Sequence, residues 1–183
     1  MTPRVAELLL RSRELVGLSE TPELDLQLLL CHALDCSGAW LATWPESIPE
    51  PAQQAHFDAL LERRIAGEPI AYLLGTQGFW SLDLQVSNAT LIPRPETEML
   101  VEMALKLNLP SRVKALDLGT GSGAIALALA SEHPKWHFTA VDSQPSALAI
   151  AEQNRSRYGL QNVEFCCGDW HAPVAAKRFE LIV

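Results

Sequence analysis

Three glycines, at 119, 121 and 123, stand in the run Val113-Lys-Ala-Leu-Asp-Leu-Gly-Thr-Gly-Ser-Gly-Ala-Ile-Ala-Leu127, between an apolar stretch and a helix-forming one. Glycine is required where backbone must turn sharply and let a ligand approach amide groups that a Cβ would shield. The segment Gly119, Thr120, Gly121, Ser122, Gly123 is therefore a candidate ligand-binding loop. Alone it is ambiguous, because Gly119, Gly121 and Ala124 also satisfy the dinucleotide fingerprint G-x-G-x-x-A of nicotinamide and flavin enzymes. Asp117, beside the turn, tilts the reading: a carboxylate there disfavours a diphosphate and attracts the ammonium of a methionine moiety, as in S-adenosylmethionine. Asp142, closing the run His137-Phe-Thr-Ala-Val-Asp, suits the ribose hydroxyls of either ligand. Gly168-Asp169-Trp170 follows a third strand-like run and suits adenine, with Asp169 accepting from the exocyclic amine and Trp170 walling the base. A turn former and a core aromatic are the plainer readings of those two residues.

These positions need a scaffold that brings three strand ends together. From Val113 the pattern reads as strands over 113–118, 137–142, 162–167 and 179–183, with helices over 123–131 and 145–158. Such alternation implies right-handed crossovers, a Rossmann-like parallel sheet of the α/β class, and ligands outside the carboxyl ends of the strands. Upstream, residues 1–74 carry helical apolar spacing and read as a small all-α bundle. Thr21-Pro22 opens one helix, and Pro51 opens another that Gly67 ends. In Ser81-Leu-Asp-Leu-Gln-Val-Ser87 the period changes to strict alternation, so residues 75–92 are expected to form a β-hairpin linker. Pro93-Arg-Pro-Glu96 then starts a helix running to about Leu107, and the domain carrying the glycine loop occupies 93–183.

The bulk properties bound the function. With 183 residues and 48% hydrophobic side chains, one ordinary or two small cores can form. A net charge of -8 disfavours sequence-independent binding to long nucleic acid. Four cysteines, at 31, 36, 166 and 167, have neither zinc spacing nor a secreted framework, so no metal site is expected and the thiols are read as reduced. No apolar run reaches membrane-spanning length, and the start lacks a signal-peptide pattern. The expectation is a soluble, cytoplasmic protein.

Four runs together, Leu91-Ile-Pro-Arg-Pro-Glu-Thr-Glu98, Ala115 to Ala126, Val141-Asp142 and Gly168-Asp-Trp170, resemble in order and spacing the peptide-chain-release-factor glutamine methyltransferases. The resemblance spans the whole chain, including the helical region and the hairpin with Gly78-Phe-Trp-Ser-Leu82. It implies a class I S-adenosylmethionine-dependent methyltransferase that methylates the side-chain amide nitrogen of the glutamine in the Gly-Gly-Gln tripeptide of bacterial class I release factors. It also implies that residues 119–123 cradle the methionine part, that Asp142 takes the ribose, that Asp169 and Trp170 border the adenine, and that the helical region helps hold the release factor.

One departure stands out. In the family an Asn-Pro-Pro-Tyr loop follows the fourth strand, and here that strand, Phe179-Glu-Leu-Ile-Val183, ends the sequence given. The loop's acceptors would orient the N–H bonds of a poorly nucleophilic amide toward the sulfonium methyl. The expectation is a chain truncated before its catalytic loop and inactive in this form, with no catalytic residue assigned up to Val183. The alternatives are a nitrogen methyltransferase acting on adenine or other nucleic-acid targets, a donor-binding fragment without catalysis and, third, a dehydrogenase.

Overall fold

The computed structural model describes residues 3–183, which divide into two compact units, one ending at Leu74 and the other spanning Gly75–Val183. The first unit is helical throughout, with α1 (Val5–Leu9), a 3-10 turn (Leu10–Leu15), α2 (Pro22–Leu34), α3 (Gly38–Thr43), α4 (Pro51–Ile65) and α5 (Ile70–Leu74). Prolines start α2 and α4 at their first positions, where no backbone donor is lost. Leu26, Leu29 and Leu30 of α2 meet Phe57 and Leu61 of α4 in a core that also takes Val5, Leu8 and Leu15. The same two helices are joined by a largely buried ion pair, Arg64 Nε to Asp25 Oδ2 at 2.9 Å.

In the second unit, β1 (Thr76–Phe79) and β2 (Leu82–Gln85) form an antiparallel hairpin in which Phe79 opposes Leu82. Trp80, at the turn, has a left-handed φ of 56°. Its backbone N–H donates to Glu98 and its indole N–H to Glu132. Residues 75–92, expected to act as a linker, are built into this unit instead. Phe79, Leu82 and Leu84 share one core with the helices and strands that follow, because the alternating apolar face of β2 has a covered surface to bury against.

The helix expected from Pro93 begins later, as a 3-10 turn at Pro95–Thr97 that leads into α6 (Glu98–Leu105). Arg94 is held extended at φ -93°, ψ 145°, the conformation that a following proline imposes. Then come β3 (Lys114–Leu118), α7 (Ala124–Glu132), β4 (His137–Asp142), α8 (Pro145–Arg157), β5 (Val163–Cys167), a 3-10 turn (Ala172–Val174) and β6 (Leu181–Ile182). The sheet order is β5-β4-β3-β6 and every pairing in it is parallel.

One face of this sheet, with Ala115, Phe138, Ala140 and Val163, carries the main core, which takes in residues of α6 and α7. The other face has a smaller cluster of Leu116, Val141 and Val174, with Cys166 and Phe179 packed against it. β6 is shorter than the expected 179–183, since it pairs only with β3. Flanking bonds, Glu180 N–H to Lys114 O and Val183 N–H to Leu116 O, extend its attachment. All four cysteines are free. Among the described residues no acidic, histidine or cysteine cluster could hold a metal, and no helix is long and apolar enough to cross a membrane.

Candidate functional site

β3, β4 and β5 end side by side, and the chain leaves each through a short loop. After Leu118 the backbone turns through Gly119, Gly121 and Gly123 with φ of 78°, 56° and 85°, a region that L side chains rarely adopt, before α7 begins. The loop is stitched to β4 by the N–H groups of Gly119 and Thr120, which both donate to Val141 O at 2.9 and 3.0 Å.

Asp142 joins the three strand ends. Its Oδ2 accepts from Gly121 N–H and its Oδ1 from Gln144 N–H, both at 2.9 Å, while its backbone oxygen accepts from Gly168 N–H at 3.0 Å. A cavity of about 260 Å³ opens here, lined by Leu118, Gly119, Val141, Asp142, Ser143, Gly168, Asp169 and Trp170. Asp169 is exposed, and its backbone oxygen caps a turn by accepting from Ala172 N–H. Trp170 is 69% exposed with a left-handed φ of 47°, so its ring is not part of the core. Gly168 is demanded by packing, since a Cβ there would lie 2.2 Å from Pro173 Cγ.

Of the residues singled out in the sequence, Gly119, Asp142, Asp169 and Trp170 thus share one cavity, and Gly121 reaches it through its bond to Asp142. Thr120 and Ser122 are 6% and 2% exposed and do not line it. Thr120 Oγ1 instead donates to Asp117 Oδ2 at 2.7 Å, and the Ser122 carbonyl accepts from Asn154 Nδ2 at 2.9 Å. Gly123 caps α7, its oxygen accepting from Leu127 N–H.

Asp117, expected beside a ligand's ammonium group, is 2% exposed and absent from the cavity lining. The period-2 pattern of β3 already places it on the same side as the fully buried Ala115, facing the helices. Burial pushes its carboxyl up to about 6, against the lowering effect of the Thr120 hydroxyl and the Ala126 amide; the charge of Asp142 adds to the rise. Its role is to hold the loop from beneath. Asn154, on α8, was not singled out in the sequence at all, yet it is fully buried and bonded to the same loop.

A larger space, about 730 Å³, lies at the amino ends of the strands, lined by Lys114, His137, Thr139, Glu164, Lys177 and Phe179 among others. Size alone would favour it. The smaller cavity has the glycine loop, the convergent carboxylates and the position at the carboxyl ends where open α/β sheets bind ligands, and these features identify it as the candidate site.

Two family models match the chain, one described as the PrmC N-terminal domain over residues 4–75 and one as a methyltransferase domain over residues 109–183. Together with the parallel sheet and its glycine loop they define a class I S-adenosylmethionine-dependent methyltransferase fold that follows a helical unit in the sequence. The release factor glutamine methyltransferase of Aliivibrio fischeri is 48% identical over 186 residues, covering 100% of this chain and 66% of its own length. Those of Vibrio cholerae and Pseudomonas aeruginosa are 49% and 51% identical, each covering 90% of this chain and 58% and 60% of their own lengths. The chain belongs to the release factor glutamine methyltransferase family, and it spans 58–66% of the length of these curated relatives. Among solved structures, a tRNA (uracil-54, C5)-methyltransferase of Pyrococcus abyssi aligns over 58% of this chain at 20% identity with a TM-score of 0.49, too partial a likeness to bear on the assignment.

Proposed function

We propose that this chain binds S-adenosylmethionine at the carboxyl rim of its sheet and forms the donor-binding part of an enzyme that methylates the side-chain amide nitrogen of the Gly-Gly-Gln glutamine in bacterial class I release factors. The observation that carries this is Asp142, whose carboxylate lines the cavity while it also accepts the Gly121 amide. That bond occupies an N–H that a diphosphate would need, and a second carboxylate, Asp169, faces the same space. A cavity flanked by carboxylates favours a cationic sulfonium nucleoside over an anionic dinucleotide. Gly119, without a side chain, leaves room at the wall.

In this reading each Asp142 oxygen has a further lone pair to accept from a ribose hydroxyl. Asp169 accepts from the adenine amine, and the Trp170 indole offers an apolar wall to the base. When bound, the donor supplies an electrophilic methyl on sulfur. Gly119 to Gly123 set the position of its methionine end, with Thr120, Ser122 and Gly123 acting through the shape of the loop. The helical unit, in this reading, helps hold the release factor. No described residue is assigned to the chemical step, and the 183-residue polypeptide is proposed to bind donor without transferring methyl.

Isothermal titration of this polypeptide with S-adenosylmethionine and with NAD tests the site. Binding of the former and not the latter is expected, and the reverse pattern overturns the reading. Incubation with tritiated donor and purified release factor tests the second part, for which no incorporated label is expected; label in the release factor overturns that part alone.

A further inference from the structure

We propose that Asn154 is a positioning residue for the donor site, coupling the β1–β2 hairpin to the glycine loop. The inference rests on the reading of that loop as the donor site and adds a residue and an element to it. Asn154 is 0% exposed in the last turns of α8. Its Nδ2 donates to Ser122 O at 2.9 Å and to Gln85 O at 3.0 Å, and its Oδ1 accepts from Gln85 N–H at 2.7 Å. One side chain thus holds both main-chain groups of a β2 residue and a carbonyl of the loop.

The bonded carbonyl belongs to the peptide that joins Ser122 to Gly123, and the N–H of that same peptide donates to Thr120 O at 2.8 Å. Its orientation sets how the loop passes from Gly121, which bonds Asp142, into α7. Ser122 is 2% exposed, so water cannot replace a lost donor without rearrangement, and an unpaired buried carbonyl is costly. Loss of Asn154 therefore frees this peptide to rotate and loosens the Gly121 to Asp142 contact at the cavity.

Tyr158, the residue that caps the carboxyl end of α8, provides the internal comparison. Its hydroxyl accepts from Asp83 N–H at 2.6 Å and donates to Asp83 O at 3.0 Å, gripping the same strand without touching the loop. A purely structural attachment of the hairpin would give the two residues equal consequences for the donor. A link through Asn154 makes them unequal, and reciprocity requires the donor to be felt at Gln85.

The first test uses the unaltered 183-residue chain. Amide hydrogen exchange measured by NMR with and without saturating S-adenosylhomocysteine is expected to slow at Gln85 by about tenfold and at Asp83 by less than about twofold. Equal slowing at both, or none at Gln85, overturns the inference. In the second, Asn154→Ala is expected to raise the Kd for S-adenosylhomocysteine about tenfold or more, with Tyr158→Phe within about twofold of the unaltered chain. Equal affinities of the two variants overturn it as well.

Should the unaltered chain bind no adenosyl compound, the proposed function fails on its own, and the link is read without ligand. Asn154→Ala must then speed exchange at both Gly123 and Gln85, while Tyr158→Phe speeds it at Asp83 only. Acceleration confined to Gln85 in Asn154→Ala removes the coupling.

Discussion

The parallel sheet of the second unit ends in two rims of opposite character. At the carboxyl ends of β3, β4 and β5 the chain turns through short loops, those after β3 and β5 bearing glycine, α7 and α8 begin, and Asp142 and Asp169 line a cavity of about 260 Å³. At the amino ends a cavity of about 730 Å³ is lined by Lys114, His137, Lys177 and Arg178, with Glu164 as its acid. Glu164 is already engaged, accepting from the Thr139 hydroxyl at 2.6 Å and paired with Lys177. The difference teaches that volume is a poor guide to a site in this fold. Glycine loops, helix starts and convergent carboxylates lie at one end because every crossover of a parallel sheet delivers them there.

The sharpest contrast between the rims is in their response to pH. Asp117, beneath the carboxyl rim, has its carboxyl raised by burial to about 6 from 3.8, so the folded protein binds a proton there that the unfolded chain has released. Its relative contribution to stability is fully present below about pH 4 and is lost as pH rises through about 6, by up to about 3 kcal/mol. Asp117→Asn, followed by urea unfolding, should therefore gain on the natural protein by that order between pH 4 and pH 7. At the other rim, the Lys177 pairing and the Thr139 hydroxyl hold the Glu164 carboxyl below its ordinary value. Its contribution is present above the unfolded value and disappears as pH falls, so Glu164→Gln should show a pH dependence of opposite sign and, given the exposure of the pair, smaller size. Matching signs in the two variants would break the comparison.

Donor affinity gives the next contrast. Asp142→Ala should weaken S-adenosylmethionine binding by on the order of 10- to 100-fold in calorimetry, the usual value of hydrogen bonds to a charged acceptor. Lys177→Ala, at the larger cavity, should leave it within about twofold. If the lysine variant loses affinity instead, the sites have been assigned the wrong way round. The smallest effect belongs to Trp170→Ala. Because the ring is 69% exposed, the variant's Tm should match the natural protein closely while donor affinity falls about fivefold, the loss of one base-stacking wall. A variant with lowered Tm and unchanged affinity would return Trp170 to a packing role.

The sequence made local devices readable. Proline at 22 and 51 marks helix starts that the structure places at the same residues, and the run from His137 to Asp142 predicts β4 with the same limits. The glycine loop is equally plain, because three left-handed backbone positions so close together favour glycine. What stayed hidden depends on contacts distant in sequence. Asn154 finds Gln85 across 69 residues; its spacing from Ala147 and Ala151 puts it on the buried face of α8, but its partners lie too far away in sequence to be read. The hairpin reads as a linker for the same reason, since the alternation shows that β2 buries one face without showing against what. Asp117 and Thr120 are a different case. Strand periodicity already puts Asp117 on the face it shares with Ala115, against the outward position that its charge suggests.

β2 also has a bearing on solubility. An outer strand that leaves its amides unbonded is a template on which another chain can lay a strand and begin to aggregate. In this hairpin the amides of Asp83 and Gln85 are instead capped by a phenol and a carboxamide from α8, which take the place that a third strand would fill. On the β2 side the hairpin thereby stops growing, and side chains rather than further backbone finish that edge.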